Sequence, residues 1–187
     1  MNNLLRNVLM RRSTHKFDMR QLRDEDLQSI LEEGKLLSHA AENQAWHFTV
    51  VQNQGVLQQI ALVNTKFLSR EHKDIVKEGI FKEEVGFISR IPTLLIISGC
   101  SNASYAEDAA NTVFGSMMLI AEKIGVVACW LSSMPQVFHE PEAGEINRII
   151  SIPEGYVPLC VGAFGYKQQE ESLETVSFSD SIVHIIK

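Results

Sequence analysis

The stretch 107–133, EDAANTVFGSMMLIAEKIGVVACWLSS, constrains the fold more than any other part of the chain. Its apolar residues fall at Ala109, Ala110, Val113, Phe114, Met117, Met118 and Ala121. That i, i+1, i+4, i+5 rhythm gathers on one side only if the segment is helical. So few polar residues interrupt it that the spacing predicts a central helix, buried almost all round. Ser104-x-x-Glu107 has the form of a capping box at its start, and Gly125 supplies a stop. VVACWL then reads as a buried strand.

A helix of this kind must be covered by other layers, and the rest of the chain supplies them. TLLIIS after Pro92 and VPLCVGAFGY after the Pro-Glu-Gly turn at 153–155 are continuous apolar runs that fit buried strands. WHFTVVQ at 46–52 is short, aromatic and β-branched, which predicts a further strand. Helical spacing places Leu27, Ile30, Leu31 and Leu37 on one face of a helix over 24–38, with acids at its start. More helix is predicted over 55–63, from Pro141 through Ile146, Ile149 and Ile150, and across the first twelve residues. Helices and strands mix without βαβ alternation, so the expected class is α+β.

A length of 187 residues corresponds to about one domain, taken as 1–187. Within it, 66–90 carries 11 charged residues in 25 and reads as solvated helix or as an excursion from the core. The tail 167–187 is polar until SIVHIIK, an apolar end that needs cover from its own domain or from another subunit.

Charge excludes some functions. Against 23 Asp and Glu stand 17 Lys and Arg, a formal charge of −6. Wholesale binding to nucleic acid or to an acidic membrane is therefore not expected. No apolar run reaches the roughly 18 residues of a spanning helix, and the start lacks the apolar block of a leader, so a cytoplasmic protein is expected. Cys100, Cys129 and Cys160 are scattered among apolar residues and read as buried reduced thiols.

The familiar phosphate cradles G-x-x-x-x-G-K-[ST] and G-x-G-x-x-G are missing, as are G-x-S-x-G and H-E-x-x-H. No metal site is expected. Spacing alone yields no protein-borne nucleophile or acid–base pair, so any redox or group-transfer chemistry would rest on a cofactor. Arg11-Arg12-Ser13-Thr14-His15-Lys16-Phe17 gathers four basic residues and two hydroxyls. It admits two readings: a solvated helix end that favours cations, or an anion site built on arginine forks.

Four segments in order, RRSTHKF at 11–17, AENQAWHF at 41–48, the central helix running into VVACWLSS, and IPEGYVPLCVGAFGY at 152–166, resemble the FMN-dependent nitroreductase family. The resemblance covers essentially the whole chain. It implies a mixed or antiparallel central sheet flanked by helices, in an intertwined homodimer with an exchanged C-terminal tail and FMN sites at the interface. It also implies a ping-pong oxidoreductase: NADH or NADPH gives a hydride to the flavin, and a nitroaromatic, quinone or similar acceptor takes the electrons. The alternative is a flavin-binding or redox-sensing protein of the same fold with little turnover.

By the same resemblance, Arg11, Arg12, Ser13 and His15 hold the phosphate and the pyrimidine edge of FMN. Ala40 and Asn43 belong to a second contact segment, and the backbone of Leu131, Ser132 and Ser133 faces the ring. Lys167 is the cation nearest the place where relatives carry a further phosphate ligand. His15 stands where members usually have Arg or Lys, and it and Arg12 would stabilise charge at flavin N1–O2.

Overall fold

The computed structural model describes residues 16–40, 46–71, 86–100 and 105–168. Its scaffold is one four-stranded sheet built from β1 (His47–Val51), β2 (Thr93–Cys100), β3 (Val126–Trp130) and β4 (Tyr156–Tyr166). The strand order is β1-β2-β4-β3, and every neighbouring pair is antiparallel. This is the expected α+β class, in its antiparallel form.

Both faces of the sheet are covered, which is why its strands read as apolar runs without alternation. On one face lie α1 (Asp24–Ala40) and α3 (Ala106–Lys123), meeting Leu95, Ile97, Cys160 and Phe164. On the other lie α2 (Gln54–Glu71), the short helices α4 (Met134–Val137) and α5 (Gly144–Ile149), and a 3-10 turn at Pro141–Ala143. Those elements meet Leu94, Ile96, Val161 and Ala163. Parity along β2 and β4 thus sends alternate residues to two separate cores.

The structure corrects several expectations. The central helix, α3, is not covered all round. Its inner side (Ala110, Val113, Phe114, Met117, Met118, Ala121) is buried, while Glu107, Asp108, Thr112 and Lys123 are exposed. Nor does a capping box begin it: Tyr105 is the cap, with no side-chain cap hydrogen bond, and Ser104 lies outside the described residues. The second helix runs on to Glu71, so the first part of the charged stretch 66–90 is ordinary helix. Arg70 closes it with a guanidinium that pairs with both Glu140 and Glu142. Among the thiols, Cys129 and Cys160 are buried, but Cys100 is exposed at the end of β2. Burial pushes the two buried thiols up, to about 11 and about 12, which keeps them inert.

Candidate functional site

Of the described residues singled out in the sequence, Leu131, Ser132, Ser133 and Lys167 fall at the two ends of the β3–β4 ladder. Its register runs from Val126↔Tyr166 to Trp130↔Gly162. Leu131–Ser133 therefore leave one end and Lys167 the other. At about 3.4 Å per residue the ends stand on the order of 20 Å apart. Ala40 is the last residue of α1. Arg11, Arg12, Ser13, His15 and Asn43 lie outside the described residues.

At the β3 end the chain turns directly from strand into α4. The Leu131 N–H donates to Val161 O at 2.9 Å, and the Met134 N–H donates to Leu131 O at 3.0 Å. Between them, Ser132 and Ser133 are exposed, and no described residue accepts a hydrogen bond from their N–H groups. Two adjacent backbone donors are thus left for solvent or a ligand. Trp130, the last residue of β3, stands just before this turn. It is 37% exposed, so it is a half-open surface rather than the core anchor its type suggests.

The Trp130 ring sits 5.7 Å from Phe114, which meets Phe164 edge-on at 5.5 Å. Gly162 makes this stack possible, because a Cβ there would overlap the Phe114 ring. The sequence shows a glycine in a strand; it does not show that an aromatic ring needs the missing methyl.

At the β4 end the chain that follows the RRSTH segment is pinned to the sheet. Phe17 forms an antiparallel bridge with Lys167, and the Asp18 N–H donates to Tyr166 O at 2.9 Å. Phe17 packs over Gly165, where a Cβ would lie 2.8 Å from the ring and 2.6 Å from Pro92. So Lys16–Phe17 and Lys167, far apart in sequence, come together.

A charged network fixes the same end. The Tyr166 hydroxyl donates to Asp26 Oδ2 at 2.5 Å. Arg23 grips the same carboxylate, with Nε to Oδ2 at 2.8 Å and Nη2 to Oδ1 at 3.0 Å. Its backbone N–H donates to the Tyr166 oxygen at 3.1 Å, and the Arg20 guanidinium lies 4.7 Å above the Tyr166 ring. Asp26 is only 6% exposed, and the Arg23 fork, then the Tyr166 phenol, hold its carboxyl below the usual range. Sequence reasoning missed this cluster. Asp26 reads as one of three acids in a first helical turn, and its partner is 140 residues away.

Lys167 is exposed, and its charge acts on Glu122 at the end of α3. Burial pushes the Glu122 carboxyl up, and Lys167 pulls it part of the way back. Among the described residues no group of three or more His, Cys, Asp or Glu could hold a metal ion. Nor is any described helix long and apolar enough to cross a membrane.

The donor set fits FMN in kind. Open backbone N–H groups beside an exposed indole suit the acceptor-rich edge of a flat ring, and Lys167 at the far end of the ladder suits an anion.

Comparison with known proteins gives the family. An Archaeoglobus fulgidus protein is 27% identical over 173 residues, covering 91% of this chain and 89% of its own length. One from Methanothermobacter thermautotrophicus is 26% identical over 187 residues, covering 98% and 87%. Both carry the provisional name NADH dehydrogenase/NAD(P)H nitroreductase. A Bacteroides fragilis nitroreductase solved with bound FMN superposes over the full length of both chains, with a TM-score of 0.82 at 23% identity. A Desulfitobacterium hafniense nitroreductase with bound FMN gives 0.82 at 21% identity, covering 99% of each chain. These structures share the fold. The family model described as "Nitroreductase family" matches residues 8–166, and this chain belongs to that family.

Proposed function

We propose that this chain is an FMN-dependent oxidoreductase that uses NADH or NADPH to reduce a small acceptor such as a nitroaromatic or a quinone. The observation that carries the reading is the Ser132–Ser133 turn, with two unspent N–H groups beside a half-open Trp130 in a chain of this family. Bound FMN would supply hydride acceptance and electron transfer, which no described side chain provides. The protein's part is to hold and polarise. Leu131–Ser133 present their backbone to the ring, with Ala40 and Asn43 in the second contact segment. Arg11, Ser13 and Lys167 hold the phosphate, while Arg12 and His15 stabilise charge on the pyrimidine edge.

The outer side of α3 supports a homodimer. Ala109, Gly115, Ser116, Leu119 and Ile120 are only partly exposed there, a stripe of small and apolar residues suited to a second copy. The tail 167–187 of the single domain 1–187 would embrace that partner, and 66–90 would border the acceptor entrance. Three free cysteines suit the reducing cytoplasm.

The test is the visible spectrum of the purified protein, before and after NADPH or NADH without oxygen. A flavin spectrum that bleaches supports the reductase, and a colourless protein that ignores added FMN overturns it. A flavin that resists both nicotinamides selects the binding or sensing alternative. That alternative draws support from the sequence after Tyr166, where Lys167 is followed by Gln168-Gln169-Glu170-Glu171 and not by a second cation. The role given to His15 has its own check. An unperturbed imidazole titrates near pH 6.5, so the flavin potential or rate should follow that titration. A His15→Lys variant that keeps the same pH dependence removes the assignment.

A further inference from the structure

We infer that a second small-molecule site lies beside Phe17, built for a small aromatic carboxylate. A cavity of about 380 Å³ opens there, lined by Lys16, Phe17, Met19, Phe87, Arg90 and Gln168. Its size is near the lower end for ligand pockets, enough for a single substituted ring. One wall is apolar and flat: Phe17 and Phe87 stack with centroids 5.9 Å apart and planes 24° from parallel. Two cations from separate segments, Lys16 and Arg90, share the lining with the Gln168 amide, and none of the described residues that line it is acidic.

The arginine is prepared for an anion. Arg90 Nε donates to Gly86 O at 2.7 Å, which anchors the stem of the guanidinium. No ion pair with a described carboxylate uses the rest of the fork. Asp18, the acid nearest in sequence to this wall, is taken by Arg20 at 2.9 Å. A planar fork with its Nη groups uncommitted matches a carboxylate in two hydrogen bonds, and a ring on that carboxylate meets the phenylalanine wall. Fork and wall together select an aromatic carboxylate over a bare phosphate or a neutral ring.

The experiment is fluorine NMR titration of the full chain with 4-fluorobenzoate, alone and with saturating FMN, with 4-fluorobenzyl alcohol as neutral analogue. The expected result is saturable binding of the carboxylate, about tenfold or more tighter than the alcohol. FMN and inorganic phosphate should not displace it. Arg90→Gln should weaken it about tenfold and Lys16→Gln less, while Arg148→Gln on α5 leaves it unchanged. Gly86→Ala is the second variant, since its Cβ would lie 3.2 Å from Arg90 Nη2 and shift the fork. It should weaken the carboxylate and not the alcohol. Equal affinity for alcohol and carboxylate, or indifference to both Arg90→Gln and Gly86→Ala, overturns the site. Displacement by FMN overturns it as well, because the cavity would then belong to the cofactor. That outcome would leave the oxidoreductase reading intact, just as a colourless protein that still binds fluorobenzoate would leave this one.

Discussion

The two ends of the β3–β4 ladder are held by different physics. At the Trp130 end, order comes from packing: Phe114 fills the gap left by Gly162 and lies against Trp130, the cross-strand neighbour of that glycine. At the Tyr166 end it comes from directed polar contacts that converge on one buried carboxylate, Asp26. The packed end leaves backbone donors open, whereas the polar end uses its donors and fixes the entering N-terminal segment. A ring with many acceptors suits the first, and an anion that needs placed cations suits the second.

The largest effect is expected at the packed end. Phe114→Ala should cost about 3–5 kcal/mol by denaturant unfolding, because the neighbours of a buried ring cannot fully collapse into its space. Trp130 emission should shift with it. A loss below about 1 kcal/mol would show that the stack is not what holds this end.

Asp26→Ala comes next, at about 1–3 kcal/mol, since it strips partners from both Arg23 and the Tyr166 hydroxyl. Exchange of the Asp18 amide, bonded to Tyr166 O, should speed up, while that of Leu131, bonded to Val161 O, should not. If both quicken equally, the ends are one cooperative unit and the contrast fails.

The same carboxylate sets a pH dependence. Its folded pKa is lowered, so the stability it contributes is complete above the ordinary carboxylate value of about 3.9 and is lost as pH falls through the folded value. Asp26→Asn should flatten that acid limb in melts taken between neutrality and about pH 3. An unchanged limb would assign it to other acids.

The smallest effect belongs to Glu122. Its folded pKa is raised, so its contribution is complete below the ordinary value and is lost as pH rises through the folded one. Glu122→Gln should therefore stabilise slightly at neutral pH, by less than about 1 kcal/mol. It should also tighten FMN binding, because it removes a negative charge that acts on Lys167. Weaker binding would place the phosphate away from Lys167.

Much of this scaffold is legible in sequence. Continuous apolar runs mark β2, β3 and β4 because a sheet covered on both faces needs apolar residues at every position. The faces of α1 and α3 follow from helical periodicity. Legibility ends where one residue's state depends on a distant partner. Nothing local distinguishes Asp26 from Asp24 and Glu25, yet only Asp26 meets Tyr166. The half-exposure of Trp130 and the ring-sized gap at Gly162 arise from strand register. Tyr105 takes the cap of α3 although Ser104-x-x-Glu107 offers the usual chemistry, and no local rule marks that shift.

The strand order carries a consequence for how the chain folds. β4 is the last of the described strands to be made, yet it lies between β2 and β3 and is the only described strand that β3 pairs with. During synthesis, residues 126–130 stay without a partner until residues 156–166 arrive. The β1–β2 pair likewise shows its long edge, and the inner side of α3 has only half a sheet to rest on. A nascent chain in this condition is open to aggregation and to chaperones. Its folding rate is set by closing distant contacts rather than by local helix formation. Truncation before Tyr156 should therefore leave no folded remnant, because the last strand completes both cores at once.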